Sequence, residues 1–427
     1  MKIELAYDTT GLTVELPDRN VAAVLRHSPA AALPDPAGAI AEAIARPIGT
    51  RPLYDIAKGR ANACILICDH TRPSPDRLML PPILATLESA GIARKNILIL
   101  VATGLHRAST AAEIERLVGP GIARDYRVEN HDARDAASHA PCCTTRDGTR
   151  ASVDKRFSGA DLKIATGFVE PHLMAGFGGG RKMVAIGVAS ADTICQLHSP
   201  RVLENRCCRE GNLAGNVLHD AACEIARAAG LEFIVHVTMD EHRRPTGVFA
   251  GDPFAAFDQA VTAMRSQVTA RLDRPCDIAV TSGGGFPLDA SFYQSVKGIT
   301  AAAPAVKSGG TILVASGCRD GLGSADFVKT LEEFVDFTAF RAAILDERNP
   351  YFQIDQWQVE QLSHAAGRAE IVLAQSNLPP ELRRKLWIGS TGRFDVALLA
   401  ALAKHGPDAR IAVLPQGPYV LVETAAD

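Results

Sequence analysis

The sequence has little of several features that would place it in a special class of protein. Aromatic residues make up only 5% of the 427 residues, so we expect a core built mainly from Ala, Val, Leu and Ile. No run of 18 apolar residues occurs, so we expect no membrane span. Lysine and arginine total 45 against 48 acidic residues, and a net charge of −3 gives no electrostatic reason to expect nucleic acid or acidic membranes as partners.

Cysteine is also sparse, with ten residues in the whole chain and no CxxC pair. Such a dilute pattern argues against a disulfide scaffold and against a thiolate metal site, and it is typical of reduced thiols in a cytoplasm. The first eight residues alternate and carry charge, so they lack the apolar run of a signal peptide. We therefore expect a cytoplasmic protein.

What the chain does contain is a repeat of short apolar segments, polar or glycine-rich loops and helical segments. We predict helices at 77–90, 110–118 and 253–272, and strands at 63–68, 96–101, 162–166, 233–237, 277–281, 311–315, 371–373 and 411–414. This order predicts an α/β fold with mostly parallel sheets. A linker-like stretch at 271–275 divides it into two α/β domains, 1–272 and 273–427.

Three predicted strands in the first half run directly into loops that carry His70, His106 and His172. Ligands bind at the carboxyl ends of strands in open α/β sheets. Histidine is also the side chain best matched to proton transfer near neutral pH. A single loop histidine is more often structural or solvent-facing. Three such histidines, each just past a buried strand, indicate a functional site.

The loop that follows the third strand contains four glycines in five positions, 176 and 178–180, before Lys182. Such a run allows close backbone approach to a ligand. The P-loop pattern fails, because Arg181 precedes the lysine and Met183 follows it. The dinucleotide fingerprint also fails, because residues 170–172 intervene between strand and glycines. A flexible surface loop is the plain alternative, but a histidine and a lysine bracket the glycines and favour a binding role.

Two further segments have both a plain and a functional interpretation. His198 closes a predicted short helix, where a histidine can simply interact with the helix dipole. Gln294 and Lys297 are three residues apart, so on a helix they share one face and could grip a carboxylate. Their alternative is a solvated helix start.

Together these loops resemble the nickel-pincer lactate racemase family. The order and spacing of the motifs match from about residue 65 to 360. The matching pieces are Asp69-His70-Thr71-Arg72-Pro73, Thr103-Gly104-Leu105-His106-Arg107, Pro171-His172, Ala175-Gly176 with the glycine run to Lys182, His198, Tyr293-Gln294-Ser295-Val296-Lys297-Gly298 and Asp355-Gln356-Trp357.

The resemblance implies two α/β domains with the active site in the cleft between them. It also implies a cofactor made by other proteins, a nickel pyridinium-3,5-bisthiocarboxylate mononucleotide. In the family a lysine holds this nickel-pincer nucleotide through a thioamide, and Lys182 matches that lysine. His198 matches the histidine that binds the nickel. The pincer and this histidine would give the metal a four-coordinate, planar site, which suits Ni(II). Cofactor-synthesis proteins are the expected partners.

The family's activity implies a racemase or epimerase of a 2-hydroxy acid. Direct removal of the α-proton is hard beside a carboxylate, and reversible hydride transfer to the cofactor through a 2-keto acid avoids the carbanion. His106 and His172 match the two catalytic histidines, one base for each enantiomer. Residues 69–72, namely Asp69, His70, Thr71 and Arg72, match cofactor contacts. The residues that match substrate contacts are Arg72, Tyr293, Gln294 and Lys297.

The chain departs from the lactate enzymes at two places in this pattern. Residues 177–180 read Phe-Gly-Gly-Gly where Tyr-Ser-Gly-Gly is expected, and residues 185–187 read Ala-Ile-Gly where a Pro-Gly is expected. Neither place carries a residue of the proposed chemistry. The expected substrate is therefore lactate or a larger or more polar 2-hydroxy acid.

Two other functions compete with this interpretation. A metal-dependent hydrolase could use His70, His106, His172 and Asp69, although zinc would need three fixed ligands and the histidines have no HxH or HxxxH spacing. A non-catalytic accessory protein of the same fold could bind a nucleotide without turnover. The hydrolase interpretation also gives no role to Lys182 in the glycine-rich loop.

Overall fold

The computed structural model describes residues 1–28 and 30–425 of the chain. Within these residues the strands are β1 (Lys2–Leu5), β2 (Leu12–Glu15), β3 (Val21–Val24), β4 (Ala63–Cys68), β5 (Ile97–Ala102), β6 (Arg127–Asn130), β7 (His139–Thr144), β8 (Arg150–Asp154), β9 (Leu162–Phe168), β10 (Pro171–His172), β11 (Gly176–Phe177), β12 (Phe233–Met239), β13 (Pro245–Gly251), β14 (Thr269–Leu272), β15 (Cys276–Ser282), β16 (Val306–Ala315), β17 (Ala369–Gln375), β18 (Gly389–Ser390), β19 (Ile411–Leu414) and β20 (Leu421–Thr424).

The helices follow the strands in the order that βαβ units require. Those of the described residues are α1 (Pro36–Ala45), α2 (Leu53–Ala57), α3 (Asp76–Ser89), α4 (Ala111–Val118), α5 (Pro120–Asp125), α6 (Lys155–Ser158), α7 (Lys182–Ala185), α8 (Ala191–Leu197), α9 (Pro200–Leu203), α10 (Val217–Ala228), α11 (Ala255–Val268), α12 (Phe292–Ala302), α13 (Ala325–Glu333), α14 (Phe337–Ile344), α15 (Gln356–Arg368), α16 (Pro380–Arg383) and α17 (Phe394–His405). None of them is long and apolar enough to cross a membrane.

The chain forms two compact units, one of residues 30–267 and one that combines Met1–Ser28 with residues 268–425. The domain division at residue 272 stays a prediction from sequence. The units differ from it in two respects: Met1–Ser28 belongs with the C-terminal residues, and the second unit begins at Val268. The physical reason is strand pairing, because β3 extends the C-terminal sheet beside β19.

The unit of residues 30–267 is built on a six-stranded sheet in the order β13-β12-β9-β4-β5-β6. All of its neighbours pair parallel except β12 and β13. The six residues of β4 are all buried, as expected for a central strand that helices cover on both faces. This sheet brings the carboxyl ends of β9, β4 and β5 side by side, which places the loops that follow them next to one another.

The other unit has a six-stranded parallel sheet in the order β18-β17-β16-β15-β19-β3. Helix α12 follows β15 and packs closely on it. A Cβ atom added to Gly298 would lie 2.0 Å from the carbonyl oxygen of Ser282, so the helix approaches the strand at a distance that only glycine allows. Apolar residues of both sheet faces form the two cores of this unit.

One predicted helix is too long. We predict a helix through residue 272, whereas α11 ends at Val268 and the next four residues form β14, which pairs parallel with β20. Local pattern could not show this ending, because the strand partner lies about 150 residues further along the chain. The strands that we predict at 63–68 and 411–414 have those bounds in the structure.

Candidate active site

The loops that carry the predicted site residues follow three neighbouring strands. β4 lies in the middle, with β5 on one side and β9 on the other. Asp69 directly follows β4, while His106 and His172 lie a few residues beyond β5 and β9. The chain order reverses direction at β4, and the crevice outside such a reversal is the usual ligand site of an open α/β sheet.

His106 is held by a buried carboxylate. Its Nδ1 atom lies 2.7 Å from Oδ2 of Asp69, whose side chain is 3% exposed, whereas the imidazole itself is 46% exposed. Since a carboxylate oxygen accepts, Nδ1 of His106 is the donor and carries the proton. The neutral ring therefore keeps its lone pair on Nε2, which is the form that a general base needs.

The second oxygen of this carboxylate is also occupied. Thr71 donates its hydroxyl to Oδ1 of Asp69 at 2.7 Å. Burial acts to raise the pKa of Asp69, but the hydrogen bond and charge of His106, with the Thr71 hydroxyl and the Arg72 charge, outweigh it and lower that pKa. Asp69 is therefore ionised at neutral pH and presents a fixed negative charge to His106.

His70 points its ring at a different partner. Its Nδ1 atom lies 3.1 Å from the hydroxyl of Ser109. The backbone of Ser109 is fixed by Asn130, whose side chain accepts from the Ser109 N–H and donates to the Ser109 carbonyl oxygen. The two histidines of this region therefore have different neighbours, a carboxylate for His106 and a hydroxyl for His70.

His172 has the opposite hydrogen-bond pattern to His106. It lies in β10, which pairs with β11 as a tight antiparallel turn. The turn brings the backbone N–H groups of Met174 and Ala175 to 3.3 and 3.2 Å from Nδ1 of His172. Because both groups donate, Nδ1 accepts, and the proton of the neutral ring lies on Nε2.

The glycine-rich loop leads from this turn to Lys182, the half-buried first residue of α7. Gly176 and Gly179 have positive φ, and an added Cβ would lie 2.3 Å from the Asn212 carbonyl oxygen and 2.6 Å from that of Phe168. These glycines are thus required by the close packing of the loop against its neighbours. The loop is a tightly packed segment rather than a flexible surface loop.

His198 is a buried, neutral imidazole at the C-terminal end of α8. Its Nδ1 atom donates to the carbonyl oxygen of Ile194 at 2.8 Å. Burial, partly offset by this bond, lowers the pKa of His198 to about 4, and the charge of Lys182 contributes to the lowering. The neutral ring with its proton on Nδ1 has its lone pair on Nε2, and a backbone carbonyl in this position is a common orienting partner of a metal-binding histidine.

The three loop histidines do not assemble into a metal site of their own. Across residues 1–28 and 30–425, His70, His106 and His172 do not belong to any group of three ligand atoms that lie within 4.8 Å of one another. A hydrolytic zinc site needs three such ligands. This observation argues against the hydrolase interpretation.

Comparison with known proteins supports one family along the whole chain. The family model of the lactate racemase N-terminal domain matches residues 7–209, and that of the C-terminal domain matches residues 272–422. The lactate racemase of Lactiplantibacillus plantarum is 34% identical over 426 residues, covering 99% of each protein. That of Thermoanaerobacterium thermosaccharolyticum is 32% identical over 422 residues, covering 98% of this chain and 99% of that protein.

This chain belongs to the lactate racemase family. Solved structures agree, since the lactate racemase apoprotein from T. thermosaccharolyticum has a TM-score of 0.93 at 31% identity, covering 99% of this chain and all of that one. A Thermotoga maritima protein, 17% identical with a TM-score of 0.67, shares the fold over 91% of this chain. Membership in the lactate racemase family makes this chain an isomerase of the racemase class and confirms the α/β fold of mostly parallel sheets.

The other predicted site residues of this lactate racemase family member lie on α12, in the unit that contains residues 268–425. Tyr293, Gln294 and Lys297 occupy its first two turns, and all three are half-buried. The side-chain oxygen Oε1 of Gln294 is buried and has no hydrogen-bond partner among the described residues. An acceptor left in this state is unusual in a folded protein and is what a ligand-binding amide would show before its ligand arrives.

The Asp355-Gln356-Trp357 segment, one of the motifs of the resemblance, holds Tyr293 in place. The Tyr293 hydroxyl donates to Oδ1 of Asp355 at 3.0 Å and accepts from Nε1 of Trp357 at 3.2 Å. Asp355 itself has a positive φ of 67°, which is uncommon outside glycine. The motif therefore supports the start of α12 through the tyrosine.

Sequence reasoning missed two buried residues that form hydrogen bonds with the backbone of the glycine-rich loop. Arg181 is only 2% exposed and donates to loop carbonyl groups, and His236 accepts a hydrogen bond from the N–H of Gly180 at 2.8 Å. The available signals were an arginine beside the key lysine and a histidine inside the apolar strand 233–237. Neither pattern alone predicts a contact with the glycine-rich loop.

Proposed function

We propose that this chain racemises or epimerises a 2-hydroxy acid, lactate or a larger or more polar relative, with a nickel-pincer nucleotide attached through Lys182. The observation that carries the proposal is the pair of histidines on the loops after β5 and β9, on either side of β4. The hydrogen bonds at Nδ1 leave the two rings in opposite tautomers, His106 with a lone pair on Nε2 and His172 with a proton there. One ring can then accept the proton of the substrate hydroxyl while the other donates a hydrogen bond to the reacting oxygen.

The residues that would hold the cofactor fit its chemistry. His198 is neutral, buried and oriented by the Ile194 carbonyl, as a nickel-binding imidazole requires. The charge of Lys182 acts on His198, so the anchor and the metal ligand lie in one neighbourhood. When bound, the cofactor supplies an acceptor for the α-hydride, so the carbon acid need not ionise. Proteins that synthesise and load the cofactor are the proposed partners.

The chain's own residues would then accept and hold the proton of the substrate hydroxyl. Nε2 of His106 takes the hydroxyl proton of one enantiomer, and the Asp69 carboxylate stabilises the imidazolium that forms. Nε2 of His172 carries a proton in its neutral form, so it can donate a hydrogen bond to the hydroxyl or carbonyl oxygen of the substrate. For the other enantiomer the roles exchange, and His172 must first pass through the protonated or the alternative neutral form.

The remaining proposed contacts serve binding. We propose that Arg72, Tyr293, Gln294 and Lys297 bind the carboxylate and hydroxyl region of the substrate, with the arginine as a bidentate fork. The proposed cofactor contacts on the loop after β4 are Asp69, His70, Thr71 and Arg72. Of these, Asp69 and Thr71 also orient His106 through their hydrogen bonds.

The experiment is a panel of chiral 2-hydroxy acids, watched for loss of optical activity, with protein made alongside the cofactor-synthesis proteins. Intact-mass spectrometry of the same sample is expected to show the cofactor adduct. The adduct should be lost in Lys182→Ala and kept in the control Lys58→Ala, whose lysine is exposed and lies outside these loops. A cofactor-competent host that yields neither adduct, nor nickel, nor loss of optical activity would contradict the proposal.

A further inference from the structure

Arg181 is a buried cation that interacts with backbone rather than with carboxylates. Its side chain is 2% exposed, and within residues 1–28 and 30–425 it makes no ion pair with an acidic residue. Its guanidinium lies 4.3 Å above the centre of the Phe257 ring, and Nε has no hydrogen-bond partner. Burial lowers the pKa of Arg181 to about 10, so it is still charged at neutral pH.

The hydrogen bonds of this guanidinium all go to one loop. The terminal nitrogen Nη2 donates to the carbonyl oxygens of Ala175 at 2.8 Å and of Phe177 at 3.2 Å, and Nη1 reaches that of Gly179 at 3.5 Å. The planar fork of an arginine has donors in fixed directions, so it can hold several carbonyl groups in one arrangement. The side chain of Arg181 alone therefore binds three carbonyl groups of residues 175–179.

This loop connects the two residues on which the proposed chemistry depends. The peptide N–H of Ala175 donates to Nδ1 of His172, while the carbonyl oxygen of the same residue accepts from Arg181. Lys182 follows Arg181 directly, and its own N–H donates to the Gly179 carbonyl at 3.2 Å. Arg181 therefore contacts Ala175, the residue whose N–H bonds to His172, and it is also the residue directly before Lys182.

His236 completes the support from the opposite end of the loop. It is fully buried, and its Nε2 accepts the Gly180 N–H at 2.8 Å. Burial, with a further contribution from the Arg181 charge, lowers the pKa of His236 to about 3, so it stays neutral and able to accept. An added Cβ at Gly179 would lie 2.8 Å from the His236 ring, so the loop and the ring are in direct contact.

Stability by itself does not account for this arrangement. Burying a charged group without a counter-ion is costly, and an apolar side chain of similar volume often fills such a site with equal or greater stability. Carbonyl groups stabilise a guanidinium less than a carboxylate would. The free-energy cost of burying this charge is explained if Arg181 serves to fix the geometry of the loop rather than to stabilise the folded protein.

We propose that Arg181 is a positioning residue for the reaction, whose fork onto the carbonyls of Ala175, Phe177 and Gly179 holds His172 and Lys182 in one rigid loop. The inference rests on the proposed function and adds a residue to it. Misplacing a catalytic group by about 1 Å can cost on the order of 100-fold in rate, which sets the size of the expected effect.

The test compares Arg181→Met, Arg181→Lys and the control Arg227→Met in the cofactor-loaded enzyme. Arg227 also stacks on a ring, Phe254 at 3.9 Å, but lies outside the loop. For Arg181→Met, kcat should fall by about 100-fold while KM for the 2-hydroxy acid changes less than about twofold, because the loop orients the reacting groups and contributes little uniform binding. Arg181→Lys can restore the single bond to Ala175 and should recover part of the loss.

Hydrogen exchange of the apoprotein provides a readout that needs no cofactor. Amides in the peptide 173–181 should exchange faster in Arg181→Met than in wild type and should be unchanged in Arg227→Met. If wild-type protein forms no adduct and racemises nothing while the exchange result holds, the proposed function fails and the role of Arg181 in the loop stands.

Three results would overturn the inference. One is a folded Arg181→Met enzyme with unchanged kcat and unchanged exchange. The second is an equal loss of kcat in Arg181→Lys and Arg181→Met, which would show that hydrogen-bond donation is irrelevant. If Arg181→Met fails to fold, Phe257→Leu removes the ring beneath the guanidinium and leaves the arginine in place. That variant should lower kcat several-fold at constant KM, and an unchanged kcat would be the third contrary result.

Discussion

His106 and His172 occupy equivalent places beyond the two strands that flank β4, but they are held in different ways. The ring of His106 bonds through Nδ1 to a buried, ionised carboxylate, whereas the Nδ1 atom of His172 accepts from two backbone N–H groups. A carboxylate at Nδ1 keeps the ring proton on that atom, whereas N–H donors toward Nδ1 leave the proton of the neutral ring on Nε2. Two histidines with the same proposed task therefore start from different tautomers.

The difference teaches that a symmetric reaction does not need a symmetric site. A racemase must handle both enantiomers, and in the proposed scheme it would do so with one ring supported by a side chain and one supported by a turn. The support of His106 can be changed by mutation of Asp69, whereas the support of His172 is backbone and depends on the shape of residues 172–177.

The largest effect is expected from removing either imidazole. His106→Ala and His172→Ala should each lower racemisation by at least about 1000-fold, because each enantiomer needs both proton-handling groups. Intact mass should still show the adduct on Lys182, since neither histidine is its attachment point. Persistent racemisation in either variant would count against the two-histidine scheme.

Asp69→Asn should lower kcat by about 100-fold, because an amide can present a donor to Nδ1 of His106 and so favour the wrong tautomer. For a pair of enantiomers of equal free energy, kcat/KM must fall equally in the two directions. The asymmetry should thus appear as unequal changes of kcat and KM for the two enantiomers.

The matched control for that variant is Asp147→Asn. The Asp147 carboxylate accepts from the hydroxyls of two threonines and pairs with Arg201. As at Asp69, these partners lower the pKa of Asp147 against the effect of burial. It should keep full activity. An Asp69→Asn enzyme as active as this control would show that the carboxylate does not orient His106.

Two buried histidines that stay neutral make the stability of the protein depend on pH. Burial lowers the pKa of His236 to about 3 and that of His198 to about 4. The ordinary value is 6.5, so the unfolded chain binds more protons between these limits, and stability is full above pH 6.5 and lost as the pH falls towards 4.

The slope of that loss should reach about 1.4 kcal/mol per pH unit for each such histidine. Chemical denaturation of the apoprotein at pH 7, 6, 5 and 4 measures it. His236→Gln should flatten the slope. Equal slopes in wild type and His236→Gln would contradict the assignment of a neutral buried ring.

The smallest effect is expected at Thr71, which supports His106 mainly through Asp69 and whose hydroxyl also lies 3.5 Å from Nδ1 of His106. Thr71→Val deletes the 2.7 Å bond to Oδ1 of Asp69 but leaves the bond between Asp69 and His106. One such hydrogen bond contributes about 1 kcal/mol, so kcat should fall by about fivefold. A loss as large as that of Asp69→Asn would mean that Thr71 has a direct role in cofactor or substrate binding.

Much of the fold could be predicted from local pattern, because buried parallel strands are short apolar runs that end in polar loops. The run 63–68 is such a case and forms β4 with the expected bounds. The end of α11 and the place of β3 could not be predicted. Both depend on strand partners, β20 and β19, that lie far along the chain and leave no local trace.

The sequence by itself determined the α/β class and the residue types of the candidate site, because strand periodicity and loop motifs are local properties of the chain. It also determined the family resemblance, which the comparisons confirm. Only the tertiary structure decided the partners of these residues. Asp69 meets His106 across 37 positions and His236 meets Gly180 across 56. Packing of neighbouring strands creates such contacts, and with them the tautomer and charge of each ring.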